Sequence, residues 1–287
     1  MRACYAARVT FWLVSLPSVV LFVLLIGAAV VVAVGGLFLT RPLARKLQKH
    51  SHDETEFVGA FIQGTGALYG ILLGLVAVAA WNDYKAAEDL VSRESAALGA
   101  FYADVSGLRE PARDQLRALT RDYVNYTIDV AWPAQRTGQN PTLSNAYLRA
   151  IRKVLQAYEP DTAGQANLHG EALRKMNELI EHRRKRVETI YAALPNEVWA
   201  MVLIGALATL ALTWLLPKES IGLHVCLEVL LAVFLGISFF VLVAFDRPLV
   251  GTTSVDAAPY VLIRDRIIAA EPPHGPAPAL PDGAPAP

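Results

Sequence analysis

Charge is what this chain of 287 residues lacks over long stretches. No charged residue lies between Arg8 and Arg41, between Glu56 and Asp83, or between Glu197 and Lys218, and from Glu219 to Asp246 the only acid is Glu228. Each run meets the roughly 20 residues a helix needs to cross the ~30 Å hydrocarbon layer. Such long uncharged runs exclude an ordinary soluble domain, as do 18% charged against 54% apolar residues. Cysteine is nearly absent too. Cys4 and Cys226 are expected at opposite membrane faces or different depths, so no disulfide framework is available. Net charge is zero, which gives no whole-chain attraction to nucleic acid. No strand-like alternation of useful length occurs, and no nucleophilic triad, metalloprotease helix motif or phosphate-binding loop is present. Nothing supports an enzyme, and no cofactor is expected.

What is present predicts an all-α integral membrane protein with four transmembrane helices, since lipid offers backbone amides no partner outside the helix. Span one starts after Pro17 and ends near Leu39, before Arg41-Pro42; it is too long for a signal-peptide core. Span two covers Phe57 to Ala80, with Thr55 as its expected cap. Spans three and four cover about Val198 to Leu216 and Gly222 to Phe245. The chain divides into residues 1–81 (spans one and two), 82–197 (a helical cytoplasmic domain), 198–245 (spans three and four), 246–270 (a cytoplasmic segment) and 271–287 (a disordered Pro/Ala-rich tail).

Basic residues set the orientation. Arg2, Arg8, Lys85, Arg93, Arg183, Arg184, Lys185, Arg186, Arg247 and Arg264 flank one side; Arg41, Arg45, Lys46, Lys49 and Lys218 flank the other. The positive-inside rule then places both termini and the middle segment in the cytoplasm. In that segment Tyr84, Ala87, Val91, Leu98, Phe101 and Val105 continue span two at helical spacing. A second helix carries Leu116, Leu119, Tyr123, Tyr126 and Val130 and closes at Trp132-Pro133. A third carries Leu148, Ile151, Leu155 and Tyr158, and a fourth runs from Leu173 to Leu194 into span three.

Three groups of residues invite a function. Gln63, Gly66, Gly70, Gly74, Ala77 and Trp81 share one side of span two, in a row that offers either a packing seam or a pore wall. Gly64-x-Gly66 is no nucleotide loop, because it lies inside a span. His224 and Glu228, one turn apart in span four, are intramembrane polar groups suited to an ion or proton site or to a hydrogen bond between helices. His50, His52, Asp53, Glu54 and Glu56 match no metal-ligand spacing, so no metal is expected. The run from Arg183 to Arg186 is a topology signal that can also draw anions or acidic lipids.

Gly66-Ala67-Leu68-Tyr69, Leu72-Leu73, Trp81, Glu94, Ala97-Leu98, Tyr123, Trp132-Pro133 and Asp246-Arg247-Pro248 with Gly251 resemble the bestrophin-like family of bacterial membrane proteins, from about His52 to Tyr260. That family is distantly similar to bestrophin anion channels. The resemblance implies a homo-oligomer, a pentamer in those channels, whose second spans line a central pore, with chloride or another small anion as the permeant species. It also implies a bacterial inner-membrane location. The chain departs from the animal channels in two ways. Only Asp246 and Asp256 stand where an acidic calcium clasp would, and span two carries glycines in place of an aromatic and branched constriction. Two other functions fit the residues: a non-conducting scaffold whose cytoplasmic helices bind a partner, and a proton-coupled transporter using Glu228 and His224.

Overall fold

The computed structural model describes residues 16–47, 53–215 and 220–268. The helices are α1 (Ser18–Leu47), α2 (Asp53–Ser106), α3 (Ala112–Tyr126), α4 (Trp132–Arg136), α5 (Leu143–Ala157), α6 (Ala163–Thr189), α7 (Asn196–Trp214), α8 (Ile221–Asp246) and α9 (Ala258–Ile263). Single π-helical turns follow α3 (Thr127–Ala131) and α9 (Arg264–Ile268). Among the described residues no strand occurs. Four helices are long and apolar enough to cross a membrane: α1 over Ser18–Pro42, α2 from Gly59 on, α7 and α8. The protein is an all-helical membrane protein. At 1.5 Å per residue the 54 residues of α2 extend about 80 Å, well over twice the hydrocarbon thickness.

Several boundaries differ from the sequence reading. Helix α1 runs over Pro42 to Leu47, because proline's fixed φ is already helical and its missing donor removes only one bond. Helix α2 begins at Asp53, two residues ahead of Thr55. Trp132-Pro133 does not close the second helix but opens α4. The Trp132 N–H reaches back to Thr127 O, a five-residue step that absorbs one extra residue, and Pro133 sits in a first turn, where no donor is needed. Helix α6 stops at Thr189 rather than Leu194, and irregular backbone at 192–195 leads into α7. His50, His52 and the tail from residue 271 lie outside the described residues.

Residues up to Tyr84 together with Ala193–Arg247 form one compact unit; Lys85–Ala192 and the residues from Pro248 on form another. The first holds the four spans, around Ala33, Tyr69, Leu73, Val202, Leu210 and Leu235. At Gly236 an added Cβ would stand 2.7 Å from the Ile26 Cα, so glycine is what lets α1 and α8 approach there. Phe22 and Phe240 meet edge to face on the same pair of helices, with ring centroids 5.2 Å apart. The Trp214 indole N–H donates to Ala33 O at 2.9 Å, joining α7 to α1.

In the second unit each helix turns an apolar face inward at helical spacing: Leu98 and Phe101 from α2, Leu116 and Leu119 from α3, Ile151 and Leu155 from α5, Met176 and Leu179 from α6. Helix α6 starts on a side-chain cap, Thr162 Oγ1 accepting the Gln165 N–H.

Candidate functional site

Helix α2 presents three faces to its surroundings within the first unit. Tyr69, Leu73 and Ala80 are buried in the bundle, and the Tyr69 hydroxyl donates to Val202 O at 2.7 Å. Leu68, Ile71, Leu75 and Val78 form a large apolar face that is exposed in the single chain. The row of small residues lies about a quarter turn from the buried face. Along it Gln63, Gly70, Gly74 and Trp81 are exposed, while Gly66 and Ala77 are half-buried. A Cβ added at Gly66, Gly70 or Gly74 would meet nothing within 4 Å. Among the described residues no helix of the same chain packs on these glycines. At the end of the row Trp81 stacks on Tyr84 at 5.9 Å and meets Phe245 edge-on at 5.0 Å.

His224 and Glu228 lie on α8, both buried. His224 Nε2 is 3.1 Å from Thr213 O, on α7, and 3.6 Å from Glu228 Oε1. The histidine thus sits between a backbone carbonyl and a carboxyl that lies at the limit of its reach.

The residues after span four have separate structural roles. The buried Asp246 carboxylate accepts the Leu194 N–H at 2.7 Å, supplying a partner to an amide that lies outside any helix. In the second unit Gly251 adopts φ 86°, which favours glycine, and its N–H donates to Arg136 O at 2.9 Å. The Val255 N–H donates to Pro248 O at 2.8 Å, and Asp256 pairs with Arg136 at 3.3 Å. Asp246 and Asp256 are thereby both occupied.

The second unit encloses an ion pair. Arg186, 1% exposed, forks onto Glu94, with Nε at 2.5 Å from Oε2 and the other arm at 3.1 Å from Oε1. Its remaining nitrogen donates to Gln135 Oε1 at 2.5 Å. The guanidinium lies over the Trp132 ring at 4.8 Å, and that indole donates to Val255 O at 3.3 Å. Burial is the largest single influence and works to neutralise Arg186, but the Glu94 charge and hydrogen bond, with the nearby Tyr260 and Tyr123, together outweigh it and hold the guanidinium above its ordinary value. Burial, and then the Glu94 charge, raise the buried Tyr123 and Tyr260 hydroxyls as well.

A family model for the bestrophin-like domain matches residues 7–260. The chain belongs to the bestrophin-like family. Solved structures of the same fold include two variants of a bacterial bestrophin homologue from Klebsiella pneumoniae, 11% and 12% identical, with TM-scores of 0.64 and 0.62. Each match covers 87% of this chain and 99% of that one. A crystal structure of a membrane protein variant, 13% identical over 85% of this chain and 96% of its own, gives a TM-score of 0.62. Among curated proteins no match is found.

In this bestrophin-like chain the family-resembling residues of the second unit converge. Glu94 and Trp132 contact Arg186 directly, Tyr123 senses the Glu94 charge, and Gly251 anchors the segment that reaches Trp132. Sequence reasoning missed Arg186, reading it as one of four solvated cations. Its neighbours do stay near the surface: Arg183 donates to Ser144 Oγ at 2.9 Å, and Lys185 pairs with Glu181 at 2.6 Å. The signal was in the helical phase. Ala172, Met176, Leu179 and Arg186 share the buried face of α6, and Glu94 fills the gap between Val91 and Leu98 in the apolar series of α2.

Proposed function

We propose that this protein is a homo-oligomeric ion channel of the bacterial cytoplasmic membrane, passing small anions such as chloride along a path lined by α2. The observation that carries the reading is the uncovered row Gly66, Gly70 and Gly74, on a helix whose adjacent face, a quarter turn away, is held by Tyr69 and Leu73. Small residues leave room for an ion where a leucine row would close the path. One such helix encloses nothing, so several copies are needed, and the family resemblance favours five. Gln63 then lies toward the outer mouth and Trp81 narrows the inner end. The row holds no fixed charge, so the preference for anions rests on the family. The excess of basic residues beside the middle segment supports a cytoplasmic position for that segment and for both termini.

Flux into liposomes holding purified protein, with chloride and sodium gradients measured separately, tests this directly. Chloride-selective flux lost in an assembled Gly70→Leu variant is expected. An assembled Gly70→Leu variant with unchanged flux would remove α2 from the path, and intact oligomers that pass no ion would leave a membrane scaffold.

A further inference from the structure

Glu228 is an acid placed where every nearby hydrogen is already committed. It lies two turns into α8, about 10 Å along the helix from Ile221, and is only 2% exposed. Neither carboxyl oxygen has a hydrogen-bond partner among the described residues. Its polar neighbours are His224 and Thr213, which approach the carboxyl without completing a hydrogen bond to it, and each directs its hydrogen to a backbone carbonyl. The Thr213 hydroxyl donates to Leu210 O at 2.7 Å. His224 Nε2 stands 3.1 Å from Thr213 O. A carbonyl can only accept, so Nε2 carries a hydrogen, and that hydrogen is directed away from Glu228. At 3.6 Å the imidazole is beyond hydrogen-bond distance of the carboxyl.

An ionised carboxylate here would be a buried charge without a donor, an arrangement proteins avoid in water and still more in lipid. A carboxylic acid has no such defect. Protonation removes the charge, and Thr213 Oγ1, whose hydrogen is engaged, keeps free lone pairs among the polar neighbours. We propose that Glu228, with His224 and Thr213, forms a proton-binding site between α7 and α8. The proton comes from water, forms one O–H bond on Glu228, and returns to water on release. Release leaves a carboxylate facing two donors that must turn from their carbonyls to meet it, so occupancy of the site bears on the α7–α8 contact.

The surroundings leave few competitors. Helix α1 has no titratable residue from Ser18 to Thr40, and α7 has none from Val198 to Leu215. Tyr69 of α2 has its hydroxyl on Val202 O. Cys226 is exposed on α8. Lys218 and Glu219, ahead of α8, lie outside the described residues.

Infrared difference spectra of wild type minus Glu228→Gln, in liposomes and across a pH series, read the carboxyl whether or not ions flow, so the outcome is separate from that of the channel reading. The expected result is a carboxylic-acid C=O band present only in the wild type. It shifts in D2O and gives way to a carboxylate band in one transition as pH rises. His224→Gln should move the midpoint by about one pH unit or more. A carboxylate band at every pH, or an acid band that neither exchanges nor titrates, would overturn the proposal. An unmoved midpoint in His224→Gln would take the histidine out of the site. If Glu228→Gln fails to assemble, Glu228→Asp must displace the same band.

Discussion

A guanidinium moved out of water loses hydration worth several kcal/mol, and Arg186 recovers it only through a fork onto Glu94, an amide from Gln135 and the face of Trp132. Removing one partner leaves the other charged and buried. Glu94→Ala or Arg186→Met should therefore destabilise the helical unit by about 3–5 kcal/mol, measured as denaturant unfolding in detergent followed by tryptophan fluorescence. Arg186→Lys should recover little of the loss, because an ammonium cannot fork onto both carboxylate oxygens. A loss below about 1 kcal/mol for Glu94→Ala would mean the pair is not buried as described. Tyr260 adds a pH dependence beside this pair. Its hydroxyl is held well above the ordinary value by burial and then by Glu94, so the unfolded chain ionises first. That contribution to stability is complete below the unfolded tyrosine value of about 10 and is lost as pH rises beyond it toward the higher folded value. Alkaline unfolding should be steeper in wild type than in Tyr260→Phe, and equal slopes would contradict the assignment.

Among the elements, α2 carries the most structural information per residue. One face is closed by Tyr69 and Leu73, one is large and apolar, and one is a row of glycines where an added Cβ would meet none of the described residues. The contrast with Gly236 is instructive. There the space that a Cβ would take is filled by the α1 backbone, so that glycine serves packing within the bundle. Gly70 has no such neighbour, so Gly70→Leu should leave the fold of the subunit intact and act on whatever passes or packs along the row. Flux and oligomeric mass measured on the same Gly70→Leu sample separate the two. Flux lost with mass unchanged fits the lined path, whereas dissociation fits a seam between copies.

For the molecule as a whole, orientation decides what the helical unit meets. Tyr191 is 68% exposed there, so Tyr191→Cys in a chain with Cys4 and Cys226 replaced gives a single reporter thiol. A membrane-impermeant maleimide should label it in inverted vesicles and leave it unlabelled in intact spheroplasts. Labelling of intact spheroplasts would place the unit outside and reverse the topology proposed from the basic flanks.

The spans, their order and the helical character of the middle segment were legible in the sequence, because span length and apolar phase are local properties that any helix must satisfy. The family was legible too, on residues such as Glu94, Tyr123 and Trp132 that prove to meet around one ion pair. Local signals misplaced the ends at Pro42, which the helix runs past into a basic turn, and at Trp132-Pro133, where a π turn carried the helix onward. What only the tertiary structure decided was partnership. Glu94 and Arg186 stand 92 residues apart, Thr213 and Glu228 lie on different helices, and α2 packs in the bundle on Tyr69 rather than on its glycine row. Helical period sets which side of a helix a residue occupies; which neighbour fills that side follows from how the helices pack.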